Sequence, residues 1–127
     1  MQFSYIKTHD APEAIGPYSQ AVKAGNLLFL SGQLGLEPET GELISDGLET
    51  QTWQVLKNLQ AVLAAAGLDF MNVVETTIFL TDMKEFSRVN TIYAEMMGSH
   101  KPARATVGVA HLPKNAKIEI KMTAVFG

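Results

Sequence analysis

Leu48, Thr52, Val55, Leu56, Leu59, Val62, Leu63 and Ala66 recur at steps of three and four residues. That period puts them on one stripe of an α-helix, and so long an apolar stripe demands a partner surface. Asp46 and Glu49 stand before it at capping-box spacing, and Gly67 follows it as a left-handed stop. A second stripe of Phe86, Val89, Tyr93 and Met96 or Met97 opens at Asp82, with Glu85 three residues on, and ends by Gly98. Residues 117–126 alternate strictly, with Ile118, Ile120, Met122, Ala124 and Phe126 on one face and Glu119, Lys121, Thr123 and Val125 on the other.

The remaining segments complete a sheet. Residues 3–7 read as a short strand. Residues 18–24 and 27–31 read as a hairpin turning at Gly25-Asn26. Ala14-Ile15-Gly16-Pro17 is irregular, and residues 35–47, with Gly35, Pro38, Gly41 and Gly47, read as a loop. Residues 72–80 and 103–110 are strands, the latter after Pro102. The order βββ-α-β-α-ββ predicts a mixed α+β domain of about six strands, with two helices on one face. A length of 127 residues fits a single domain, 1–127. Leu27-Leu28-Phe29-Leu30 is apolar on both faces, so the helix-free face also wants cover. A homo-oligomer built through that face is expected.

The inventory excludes several chemistries. With no cysteine there is no disulfide, thiolate zinc site, iron–sulfur cluster or thiol nucleophile. His9, His100 and His111 are far apart and lack H-x-x-x-H spacing, so no metal site is expected. The glycines form no nucleotide cradle, and Ser31-Gly32 is not a nucleophile elbow. A net charge of −3, from 10 Lys and Arg against 13 Asp and Glu, disfavours a nucleic-acid or membrane-surface partner. The apolar run at residues 27–30 is far too short to span a bilayer, and residues 1–10 carry no signal-peptide core. A soluble cytoplasmic protein is the expectation.

One polar constellation remains. Arg104 stands in a strand with Thr106 on its own face and Ala103, Ala105, Val107 and Val109 on the other. An arginine in a half-buried strand is costly without an anionic partner. It either forms an internal ion pair, with Glu75 or Glu119, or clamps a ligand carboxylate or phosphate through two parallel hydrogen bonds. Glu119 either pairs with Lys121 or Arg104, or positions a water and relays a proton. Tyr18 is a core aromatic or a site residue. Asn90, which interrupts the second helical stripe, is a boundary residue or a clamp.

Ala14-Ile-Gly-Pro-Tyr-Ser-Gln20, Leu30-Ser-Gly-Gln-Leu34, Pro38-Glu-Thr-Gly-Glu42, Val89-Asn90, Pro102-Ala-Arg104, and Leu112-Pro-Lys114 with Ile118-Glu-Ile120 together resemble the RidA (YjgF-type) family of reactive-intermediate deaminases. The resemblance implies a chorismate-mutase-like α+β fold, a homotrimer around a central barrel, and ligand sites in clefts between subunits. It implies cofactor-free, metal-free hydrolysis of short-lived 2-enamine and 2-imine acids, such as 2-aminoacrylate and 2-aminocrotonate, to 2-oxo acids and ammonia. Arg104 matches the family's carboxylate clamp and Glu119 the glutamate beside the attacking water. Tyr18, Ser31, Gly32, Asn90 and Thr106 match positions lining the pocket. Many relatives carry cysteine where this chain has Thr106, and polar or acidic residues where it has Gly108 and Lys121. Two other readings stand beside this one: a non-catalytic trimeric binder of 2-oxo acids, and a ribonuclease or translation inhibitor.

Overall fold

The computed structural model describes residues 2–127. Strands β1 (Phe3–Ile6), β2 (Ala21–Ala24) and β3 (Leu27–Leu30) come first, followed by helix α1 (Leu48–Ala65). Then come β4 (Val73–Leu80), α2 (Phe86–Met97), β5 (Ala103–Gly108) and β6 (Ile118–Val125). The six strands form one sheet in the order β1-β2-β3-β6-β4-β5. Only β4 and β5, joined through α2, run parallel; every other neighbouring pair is antiparallel. The expected mixed α+β sheet with two helices on one face is therefore what the chain forms.

The alternation of β6 decides the layering. Ile118, Ile120, Met122 and Ala124 are buried against the helices, beside Leu28 and Leu30 of β3 and Ile78 and Leu80 of β4. Helix α1 buries Val55, Leu56, Leu59, Val62 and Leu63 against them, and α2 buries Val89, Ile92, Tyr93 and Met97. Each such aliphatic side chain removed from water contributes about 1.5–3 kcal/mol. The other sheet face carries no helix, and there Phe3, Tyr5, Phe29 and Val107 stay at least 39% exposed.

Local expectations fare unevenly. The Gly25-Asn26 hairpin turn forms, with Ala24 opposite Leu27 and Gly25 at φ +63°. Gly67 (φ +77°) closes α1: the Gly67 N–H donates to the Ala64 carbonyl and the Leu68 N–H to the Leu63 carbonyl. The Asp46–Glu49 capping box does not form. Gly47 is the N-cap, and the Ser45 hydroxyl accepts from its N–H instead. Buried Gln51 sets that start, donating to the Ser45 carbonyl at 2.9 Å and accepting from the Lys117 N–H at 2.9 Å. Asp82 does cap, but a 3-10 turn at Met83–Glu85 precedes α2, and Glu85 bonds Arg88 rather than reaching back. Strand β2 begins at Ala21, not at residue 18, because the Tyr18 N–H folds back onto the Gly16 carbonyl.

Strand β5 is a sheet edge and mostly exposed, which corrects the half-buried strand expected around Arg104. No buried side-chain polar atom among the described residues lacks a hydrogen-bond partner.

Candidate functional site

The expected site residues fall into two groups on opposite faces of the sheet. Glu119 pairs in register with Phe79, so it points to the helix-free face. Arg104 pairs with Thr76 and Thr106 with Ile78, so both point to the helix face. This closes the ion-pair reading of Arg104 among the described residues. Glu75 and Glu119 face away from it, and it forms no ion pair among the described residues.

The Glu119 group is held by the junction of β3 and β6. Beyond β3, the Gln33 N–H donates to the Ile120 carbonyl at 2.9 Å and the Ile120 N–H returns to the Gln33 carbonyl at 3.1 Å. That bridge lays Gly32 against the Glu119 carboxyl: a Cβ on Gly32 would sit 2.3 Å from Oε2. The Ser31 hydroxyl donates to the Ser19 carbonyl at 2.6 Å, which leaves its lone pairs to accept from a ligand. Tyr18 is held by the turn at Gly16 (φ +115°) and is 55% exposed. Tyr18, Ser31, Gly32 and Glu119 line one open cavity of about 730 Å³. Glu119 is half-buried, and burial pushes its carboxyl above the usual carboxylate range. Lys121 does not pair with it.

The Arg104 group belongs to β5 and α2. The Arg104 Nη1 donates to Asn90 Oδ1 at 2.8 Å, and the guanidinium lies over the Tyr93 and Phe86 rings at 5.0 and 5.4 Å from their centroids. Asn90, Tyr93 and Arg104 line a separate cleft of about 410 Å³. Thr106 shares Arg104's face, half-buried, but does not line that cleft.

Sequence reasoning missed three contributors. Lys114, at φ +58° in a 3-10 turn, is the cation lining the Glu119 cavity and lies 3.9 Å from Glu42. Buried Asn58 donates to the Leu34 and Leu36 carbonyls at 3.1 and 3.0 Å, holding the cavity wall from α1. Buried Gln20 accepts from the Thr8 N–H at 2.7 Å and donates to the Pro12 carbonyl at 2.8 Å, holding the N-terminal wall. The Pro113-Lys114-Asn115 sequence was the one available signal for the Lys114 turn, since asparagine tolerates positive φ. The two amides bond backbone groups distant in sequence, which leaves no local pattern.

Fold and geometry together define an α+β protein with an exposed arginine that has no acidic partner among the described residues on one side of its sheet, and on the other a half-buried carboxyl whose proton affinity burial raises. The chain belongs to the family described as Endoribonuclease L-PSP, whose model matches residues 8–126. It is 56% identical over 119 residues to the chloroplastic Reactive Intermediate Deaminase A of Arabidopsis thaliana, covering 94% of this chain and 64% of that relative's length. It is 48% identical over 122 residues to the human 2-iminobutanoate/2-iminopropanoate deaminase, covering 96% of this chain and 89% of that protein. The crystal structure of the Rid-family protein YyfA from Yersinia pestis superposes with a TM-score of 0.95 at 48% identity, covering 98% of this chain and 99% of that one. No helix among the described residues is long and apolar enough to cross a membrane.

Proposed function

We propose that this protein hydrolyses 2-imino acids, and the 2-enamino acids in equilibrium with them, to 2-oxo acids and ammonia. The observation that carries the reading is Glu119: a half-buried carboxyl with a raised proton affinity and no cationic partner among the described residues, facing a cavity with Ser31 and Tyr18. The names of the human and Arabidopsis relatives support the same reaction class.

Arg104 binds the substrate carboxylate through its donors not taken by Asn90. With the imine protonated at nitrogen, ionised Glu119 accepts a proton from water as the oxygen bonds to C2 and the C=N π electrons move to nitrogen, giving the neutral carbinolamine. Protonated Glu119 then gives that proton to the amino group of the carbinolamine. Ammonia leaves as the C–N bond breaks, and the hydroxyl proton passes to the once more ionised Glu119, and from it to solvent, as the C=O bond forms. The imine carbon is already electrophilic, so no covalent nucleophile is needed. A raised Glu119 pKa makes its carboxylate a stronger base than an ordinary glutamate, which suits a group that must both take and return a proton.

Because Arg104 and Glu119 lie on opposite faces of one sheet, the working site joins the Arg104 group of one copy to the Glu119 group of another. The exposed Phe29 and Val107 on the helix-free face support burial between copies, as does the homotrimer implied by the family resemblance. Ribonuclease activity, named in the family description, would need a basic and aromatic track; here 10 Lys and Arg are outnumbered by 13 acids.

The direct test couples the protein to a threonine dehydratase and follows 2-oxobutanoate release. Acceleration over the uncatalysed rate supports the reading, and tight 2-oxobutanoate binding without acceleration replaces it with a binding role. Glu119→Gln is expected to lower kcat about a hundredfold, the usual worth of a general acid–base group. The same variant is expected to melt higher than wild type at pH 7. Glu119 binds its proton more tightly folded than unfolded, so its contribution to stability is present at low pH and lost as pH rises through the raised pKa. Glutamine removes that loss, and thermal melts at pH 5 and pH 8 would show wild type losing more stability between them than the variant.

A further inference from the structure

Arg104 is exposed on an edge strand and has no acidic partner among the described residues, yet its guanidinium is fixed. Three groups of α2, at positions 86, 90 and 93, hold it. Positions 86, 90 and 93 lie four and three residues apart, so they share one helical face. Asn90 Oδ1 takes one N–H, while Phe86 and Tyr93 present ring faces to the cation at 5.4 and 5.0 Å. Tyr93 is itself locked, 6% exposed, with its hydroxyl donating to Thr76 Oγ1 at 3.0 Å. Thr76 is the residue directly opposite Arg104 on β4. The ring that supports the guanidinium is thus tied to the strand that carries its backbone neighbour.

A carboxylate partner for Arg104 would lower its affinity for a substrate anion, because two anions would compete for one cation. Ring faces hold a guanidinium through their quadrupole and carry no net charge. They restrict its rotamers while leaving its charge and remaining edge free. We infer that Phe86 and Tyr93 are positioning residues that hold Arg104 ready for a substrate carboxylate. This deepens the proposed function and rests on Arg104 being the anion clamp.

The test measures 2-oxobutanoate binding by calorimetry and imine hydrolysis by the coupled assay, both on the full chain. Phe86→Leu is expected to weaken 2-oxobutanoate binding and raise KM roughly fivefold, the worth of one partly exposed cation–π contact. Its kcat and the pH dependence of kcat, which depend on Glu119, are expected to stay at wild-type values. Phe86→Tyr, which keeps a ring face, is expected to bind as wild type does. In an Arg104→Ala background, Phe86→Leu is expected to add nothing. Tyr93→Phe keeps the ring and loses the lock to Thr76, so it is expected to change KM less than Tyr93→Leu.

Wild-type binding by Phe86→Leu would overturn the inference, as would equal losses in Phe86→Leu and Phe86→Tyr, or an undiminished Phe86→Leu effect without Arg104. Failure of the proposed function reads differently: the wild-type protein would not accelerate imine hydrolysis, or its anion binding would survive Arg104→Ala.

Discussion

Arg104→Ala is expected to lower kcat/KM for imine hydrolysis by about a hundredfold or more while the protein stays folded. In the proposed complex two charge-assisted hydrogen bonds to the substrate carboxylate would be lost, each worth about 1.5–3 kcal/mol, and tenfold in affinity is about 1.4 kcal/mol. Among the described residues the other Lys or Arg lining this cleft is Lys101, whose single ammonium cannot reproduce a bidentate pair. Arg104→Lys is therefore expected to recover only part of the loss. Stability is expected to change little. Arg104 is exposed on edge strand β5, and its removal leaves only the Asn90 carbonyl oxygen, on a half-buried side chain that water reaches. Steady-state kinetics with a melting curve on the same sample check both halves. Full activity in a folded Arg104→Ala protein would remove Arg104 from the account.

Gly35→Ala is expected to be the most damaging small substitution in the chain. A Cβ at Gly35 would lie 2.8 Å from the Gln51 Cα and 2.9 Å from the Gln51 carbonyl oxygen. The obstruction is helix backbone rather than a movable side-chain tip. Helix α1 cannot retreat freely, because Gln51 bonds the Ser45 carbonyl and the Lys117 N–H, and the Ile44 N–H donates to the Gly35 carbonyl at 2.9 Å. Overpacking of this kind costs about 1–3 kcal/mol or more, enough to lower Tm by about 5–10 °C in a domain of this size. The three atoms nearest a Cβ at Gly32 all belong to the Glu119 side chain, which can swing away. Thermal melts of the two variants separate these cases: a large drop for Gly35→Ala and a small one for Gly32→Ala. Equal melting temperatures for Gly35→Ala and wild type would mean that the loop and α1 are less tightly packed than their geometry states.

Much of this architecture was legible from residue order alone. The alternation of β6 and the stripe of α1 each have one face against a continuous core, and burial enforces the period. Helix starts were less legible. Asp46 and Glu49 have the spacing of a capping box, but buried Gln51 binds the Ser45 and Lys117 backbone and begins the helix at Leu48. Lys117 is 66 residues away in sequence, so no local pattern announces it.

The candidate site divides in the same way. Alternation placed Arg104 and Thr106 on one face of their strand. It left open which side of the sheet that face joins, because that depends on β5 pairing parallel with β4 while β6 pairs antiparallel. Ion pairing with Glu75 or Glu119 was open in the sequence and is closed by this topology. The motifs around Tyr18, Ser31, Gly32, Asn90, Arg104 and Glu119 carried the family resemblance. Their separation into two groups required the sheet.

That separation leads to the most direct test of the whole account. Arg104→Ala and Glu119→Gln chains, each expected to keep about one hundredth of wild-type activity or less, are co-expressed with different tags, and assemblies containing both are purified. If one copy supplies Arg104 and its neighbour supplies Glu119, and the copies form the ring of three that the family resemblance implies, each mixed ring holds one intact site and imine hydrolysis returns to about one third of wild type. If mixed assemblies stay as inactive as their parents, the two groups do not meet across copies, and the proposed site is contradicted.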